Sequence, residues 1–290
     1  MLSGAMTALV TPFRDGAVDI PALGALVEAQ IAGGINALVP CGSTGEAATL
    51  THEEHLAVVR EVVRVARGRV PVIAGTGSNS TAEAIRLTRG AEEAGADAAL
   101  LISPYYNRPT QEGIYRHYAA VAEATKLPLI VYNIPVRTAS NITPETIARL
   151  ARIPNVVGVK EASGSLAQVI EVIAAAGPDF AVYSGDDILS LPIMAAGGKG
   201  AISVGANLLP REFAGFCDAL LADDLEGGRR AMAHLLPLIR AMGLEVNPIP
   251  VKTAFALMGR CADEFRLPLT QATTATRAAL EPVLREYGLV

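Results

Sequence analysis

The sequence predicts an α/β protein, a (β/α)₈ barrel of the TIM type with a small C-terminal α-helical domain. Three observations carry that reading. Eight short apolar, β-branched runs succeed one another at intervals of roughly 20–35 residues, amphipathic stretches opened by helix-capping signals lie between them, and the Gly-rich fingerprint of an open dinucleotide-binding sheet is missing.

The candidate strands are residues 5–10, 37–41, 70–74, 98–103, 129–133, 156–160, 180–184 and 201–204. Helical patterns such as residues 51–66, 81–94, 111–125, 143–151, 166–175 and 187–196 separate them. Thr51-His52-Glu53-Glu54 and Ser80-Thr81-Ala82-Glu83 read as capping boxes, and Thr143-Pro144 sets a cap before a first-turn proline. Gly75-Thr76-Gly77-Ser78-Asn79-Ser80 lacks the third glycine that a dinucleotide loop needs. Strand patterns cease near residue 225, and helical patterns follow at 229–242, 251–258 and 272–286. The expected division is a barrel over residues 1–224 carrying the active site and a helical domain over 225–290, with no linker between them.

Composition bounds the partners. With 290 residues, 51% hydrophobic and 18% charged, the chain has enough apolar side chain for a large core. A net charge of -5 and the lack of a basic run argue against nucleic acid or an anionic membrane as partner. The N-terminal residues show no signal-peptide pattern and no apolar run reaches membrane-spanning length, so the expected location is the cytoplasm. Cys41, Cys217 and Cys261 are odd in number and far apart, which predicts neither a disulfide nor structural zinc.

In a barrel of this type the chemistry gathers at the carboxyl ends of the strands. The sixth run, Val156-Val157-Gly158-Val159-Lys160, ends on a lysine ahead of a helix opened by Ser163-Gly164-Ser165. A lysine at a strand end ordinarily reaches to solvent; buried among other cations it loses its proton readily and becomes a nucleophile for carbonyls. Of the 24 basic residues only Lys126, Lys160, Lys199 and Lys252 are lysines, and only Lys160 ends a barrel strand. After strand two, Gly42-Ser43-Thr44-Gly45-Glu46 offers hydroxyls and backbone N–H groups to an anion. Strands four and five run into Tyr105-Tyr106 and into Tyr132, with Arg137 beyond, supplying phenols for proton transfer and a planar fork for a carboxylate. His52 and His55 stand three apart rather than in a zinc-binding H-E-x-x-H, so they read as a helix-surface pair, and Asp186 and Asp187 have no further ligands to assemble a metal site. No metal is expected.

These residues resemble the class I pyruvate-dependent aldolases of the dihydrodipicolinate synthase and N-acetylneuraminate lyase family, over essentially the whole chain. The motifs that carry the resemblance are Gly42-Ser43-Thr44-Gly45-Glu46, Tyr132-Asn133-Ile134-Pro135 and Gly158-Val159-Lys160-Glu161-Ala162. Pro104-Tyr105-Tyr106-Asn107-Arg108-Pro109, Arg137-Thr138 and Asn247-Pro248-Ile249-Pro250-Val251-Lys252 point to the dihydrodipicolinate synthase branch. The resemblance implies a Schiff base between Lys160 and pyruvate, no external cofactor, and a relay of Thr44, Tyr132 and the partner subunit's Tyr106. It assigns the pyruvate carboxylate to Ser43 and Thr44, the carboxylate of aspartate semialdehyde to Arg137, and further substrate contacts to Gly185 and Ile202. The family's Thr-Thr pair is Ser43-Thr44 here, a form that matches the lyase branch too.

The resemblance also implies feedback by L-lysine at His52, His55, Asn79, Glu83 and Tyr105, and a homotetramer built as a dimer of dimers. Two other readings stay open: a sister aldolase acting on a sugar acid, which the Arg137 loop disfavours, and a catalytically silent lysine-binding barrel, which the set Lys160, Tyr132 and Thr44 disfavours.

Overall fold

The computed structural model describes residues 2–290. Eight parallel strands form one sheet: β1 (Gly4–Ala8), β2 (Ala37–Val39), β3 (Ile73–Gly75), β4 (Ala98–Ile102), β5 (Leu129–Asn133), β6 (Val156–Glu161), β7 (Ala181–Ser184) and β8 (Gly200–Ser203). Their order is β2-β1-β8-β7-β6-β5-β4-β3. A parallel bridge between Leu38 and Val72 joins the two ends. Backbone bonds from Leu38 N–H to Pro71 O (3.0 Å) and from Gly75 N–H to Pro40 O (2.9 Å) complete the seam. Closure leaves no edge strand to attract a foreign one. At the seam a Cβ on Gly75 would lie 2.2 Å from Cys41 O, so this approach requires glycine.

A helix follows each strand: α1 (Ile20–Ala32), α2 (His52–Ala66), α3 (Thr81–Glu93), α4 (Gln111–Glu123), α5 (Pro144–Leu150), α6 (Leu166–Ala176), α7 (Ser190–Ala195) and α8 (Pro210–Leu221). A short hairpin, Phe13–Arg14 against Ala17–Val18, precedes α1. In α2 the buried residues His55, Val58, Val59 and Val62 recur at helical spacing and face the sheet. Burying one such valine contributes roughly 1.5–3 kcal/mol. The α2 capping box forms as expected, with Glu54 N–H donating to Thr51 Oγ1 at 3.2 Å and Thr51 N–H to the Glu54 carboxylate at 2.9 Å.

Four expectations need correction. At α3, Ser80 caps the helix, but the Glu83 carboxylate is drawn to His52 instead of back to the cap, so only half a capping box forms. Thr143 precedes Pro144 at the start of α5, yet its hydroxyl faces Thr146 Oγ1 and caps no backbone N–H. The stretch 187–196 is split, because Asp186 Oδ1 accepts from Ile188 N–H (3.2 Å) and closes the tight turn Asp187–Leu189 before α7 begins. The histidines are no surface pair: His55 is buried, and its ring bonds Gly75 O at 2.7 Å.

Two apolar layers result. Outward-facing strand residues such as Leu38, Leu101, Val131 and Val159 pack against the helices. Inward-facing residues, among them Met6, Val39, Ile73, Leu100, Tyr132, Tyr183 and Ile202, fill the barrel. Beyond α8, the helices α9 (Leu225–Met242), α10 (Ile249–Leu257) and α11 (Thr274–Glu286) continue the chain, α9 packing against α8, and α11 against α9 and α10. No helix among the described residues is long and apolar enough to cross a membrane.

Candidate active site

Side chains alternate along β6, so Val159 and Glu161 face the helices while Lys160 points into the barrel mouth. The register places Lys160 opposite Tyr132 on β5 and Tyr183 on β7. Its ammonium nitrogen stands 4.3 Å from the centre of the Tyr132 ring. The lysine is buried. Burial brings its pKa down to about 8 from an ordinary 10.5; Asp187 opposes the shift and Arg137 adds to it. Room for the side chain comes from Gly185, where a Cβ would lie 3.0 Å from both Cγ and Cε of Lys160. Glu161, on the opposite face, accepts from Asn133 Nδ2 (3.1 Å) and Ser163 N–H (2.7 Å), which locks the strand end.

Burial pushes the Tyr132 phenol well above its ordinary value, and Arg137 and a hydrogen bond with Ser43 pull the other way. The phenol therefore stays protonated at neutral pH, ready to donate. Asp187 is half-buried in the same cleft, accepts from Gly205 N–H at 2.8 Å, and has its carboxyl pushed up by burial. Sequence reasoning met Asp187 only as a failed metal ligand; its place after β7 was the available signal.

Ser43 and Thr44 sit in a turn that Thr11 Oγ1 ties down by donating to Gly45 O at 2.7 Å. Thr44 Oγ1 accepts from Asn247 Nδ2 (3.0 Å), and Asn247 O accepts from Arg137 Nη2 (2.9 Å). The segment before α10 thus joins the hydroxyl turn to the arginine. Behind it, Glu46 and Lys252 form an ion pair at 2.5 Å with both side chains fully buried. Neither member was legible as a site residue from sequence.

Ser43, Thr44, Tyr132, Arg137, Lys160 and Gly185 share one cleft of about 570 Å³. Ile202 lies in the packed interior of the barrel. Tyr106 is not in this cleft; it stands 90% exposed on its loop, with φ at +71°. An adjoining cavity is walled by His52, His55, Glu83 and Tyr105 and shares Ser43, Tyr132 and Arg137 with the first. There the Glu83 carboxylate accepts from Ser78 Oγ and bonds the His52 ring at 2.6 Å, contacts that hold it below the usual carboxylate range. Asn79 does not line this wall; its carbonyl accepts from Asn107 Nδ2 at 2.9 Å.

Fold and cleft together define a barrel enzyme of amine–carbonyl chemistry, with a desolvated lysine facing a phenol beside an arginine. Residues 1–287 match the model of the dihydrodipicolinate synthetase family, and the chain belongs to that family. It is 53% identical to the 4-hydroxy-tetrahydrodipicolinate synthase of Trichlorobacter lovleyi, over 100% of both chains. Among solved structures, it is similar to the chloride-inhibited dihydrodipicolinate synthase of Acinetobacter baumannii complexed with pyruvate, at TM-score 0.98 and 46% identity, covering 100% of each chain. It is likewise similar to the synthase of Cyanidioschyzon merolae with lysine bound, at TM-score 0.96 and 40% identity, covering 100% of this chain and 99% of that one.

Proposed function

We infer that this chain is a lyase that condenses pyruvate with L-aspartate 4-semialdehyde through a Schiff base on Lys160, giving 4-hydroxy-tetrahydrodipicolinate for lysine and diaminopimelate synthesis in the cytoplasm. The observation that carries the reading is the buried Lys160 amine facing Tyr132 at 4.3 Å beside Arg137. A pKa of about 8 leaves roughly a tenth of the amine neutral at pH 7, some 300-fold more than an ordinary lysine offers.

The neutral amine adds to the keto carbon of pyruvate, whose carboxylate rests on the Ser43–Thr44 turn, and loss of water leaves an iminium. Its positive charge draws electrons from the methyl C–H bond, so removal of a proton yields an enamine. The enamine carbon bonds to the aldehyde carbon of the second substrate, and the alkoxide so formed takes a proton from Tyr132, replenished through Thr44 and the partner subunit's Tyr106. The substrate amine then attacks the iminium carbon, closes the ring and expels Lys160 as a free amine. Arg137 retains guanidinium N–H groups beyond its bond to Asn247 O, and these hold the second carboxylate.

The relay requires at least a dimer, within the expected homotetramer of two tight dimers. The cavity of His52, His55, Glu83 and Tyr105 fits L-lysine as effector, the Glu83 carboxylate meeting its ammonium group. Residues 225–290 act as the helical domain that closes the mouth of the barrel over residues 1–224, reaching the cleft through Ile239, Met242 and Asn247.

The test is intact-protein mass after incubation with pyruvate and borohydride, on the native chain and on Lys160→Ala, followed by a condensation assay with aspartate semialdehyde. An adduct confined to the native chain, together with product formation, is the expected result. A native chain without adduct sinks the assignment.

A further inference from the structure

Two carboxylate and amine groups outside the reaction path stand in the deepest part of the tail contact. Lys252 on α10 is fully buried, its nitrogen 2.5 Å from Glu46 Oε1, 4.0 Å from the centre of the Phe13 ring and 4.9 Å from that of Phe265. Glu46 Oε2 accepts the backbone N–H of Arg266 at 3.3 Å. Removing two charges from water is costly, and a fully apolar contact of the same volume often serves stability as well or better. A buried charged pair is therefore weak evidence for a purely stabilising role.

Its location points to another role. Glu46 closes the turn that carries Ser43 and Thr44, and takes a left-handed backbone at φ +51° that a side chain rarely adopts. Lys252, in the first turn of α10, follows closely on Asn247, the residue whose side chain binds Thr44 and whose carbonyl binds Arg137. An ion pair with short, directed hydrogen bonds fixes the register of two segments more tightly than apolar contact does. We propose that the Glu46–Lys252 pair is a positioning device for the condensation assigned above, holding the hydroxyl turn against the Asn247 segment so that the Asn247–Thr44 hydrogen bond forms and orients Thr44. Neither residue touches substrate; both act through Asn247 and Thr44.

The test is a double-mutant cycle on kcat, KM and melting temperature in the full chain. One arm is the neutral pair Glu46→Gln with Lys252→Met, the other Asn247→Ala. Each arm is expected to lower kcat about tenfold, with the KM for pyruvate nearly unchanged, and the two combined to lower it no further, because both remove one interaction. A combined loss near a hundredfold means independent effects and overturns the proposal, as does a neutral pair with native kcat. If the neutral pair does not fold, Glu46→Asp, which keeps a counter-charge for Lys252 on a side chain one methylene shorter, carries the same cycle with the same two readings. A native chain that makes no product overturns the assigned reaction and this role with it, whereas a fully active chain with an additive cycle overturns the positioning role alone.

Discussion

Lys160 and Tyr132 are paired directly in the register of adjacent strands, with the lysine nitrogen 4.3 Å from the phenol ring centre. Burial of the pair lowers the proton affinity of the amine, against the pull of the ring face on its cation, and the same burial keeps the phenol protonated. One contact thus prepares a base-free nucleophile and a proton donor together.

Replacing Tyr132 by Phe keeps the ring and deletes the hydroxyl. The expected fall in kcat is about 10²–10⁴-fold, the range for a lost general acid, with the melting temperature little changed. Steady-state kinetics beside a thermal scan checks it, and kcat above a tenth of native removes Tyr132 from the relay.

Lys160→Met should stabilise the fold at neutral pH. The folded-state pKa of Lys160 is depressed, to about 8 from 10.5, so the unfolded chain binds more protons between those values and stability rises with pH through that window. Below about pH 8 the buried amine costs roughly 3 kcal/mol in full, and by about pH 10.5 the cost is gone. Melting curves of both chains at pH 7 and pH 10 should show a higher melting temperature for the variant at pH 7 and a narrowed gap at pH 10. A gap independent of pH contradicts the depressed pKa.

At Gly185 an alanine Cβ would press on Lys160 Cγ and Cε at 3.0 Å and on Ala162 Cβ at 2.9 Å. Overpacking of this kind costs about 1–3 kcal/mol, here falling on the reactive side chain. Gly185→Ala is expected to fold and to trap pyruvate at least tenfold more slowly under borohydride. A native trapping rate means the lysine has space to spare.

Glu83→Gln removes the charge that would meet an effector ammonium. Losing one charge-assisted contact of about 1.5–3 kcal/mol should raise the L-lysine concentration for half inhibition by roughly ten- to a hundredfold, with uninhibited kcat near native. Initial rates titrated with L-lysine decide it; an unshifted curve places the effector elsewhere.

Much of this molecule is written locally in its chain. The run Leu129-Ile130-Val131-Tyr132-Asn133 is uninterrupted and buried throughout, so its strand matches the sequence reading end to end. The seam strands β2 and β3 are shorter than their apolar runs, and across the seam only the Leu38–Val72 bridge pairs them in a ladder. Periodicity does not reveal α1, where alanines, a glycine and leucines leave no polar stripe. Within the site, Lys160 announces itself as a lone amine at a strand mouth, and motifs point to Ser43, Thr44, Tyr132 and Arg137. Asp187 and the Glu46–Lys252 pair do not, since their meaning depends on neighbours brought from afar; Glu46 and Lys252 are 206 residues apart in the chain.

The seam carries one ladder bridge, Leu38 to Val72, with the bonds from Leu38 N–H to Pro71 O and from Gly75 N–H to Pro40 O beside it, where the other strand pairs run through longer registers. The cavity of His52 and Glu83 lies over that joint, lined by Cys41 and Gly42 on one side and Gly75, Thr76 and Gly77 on the other. A small molecule lodged there touches both lips of the joint, so the same occupancy that reaches Ser43 and Arg137 also acts as a clasp across the closure of the cylinder.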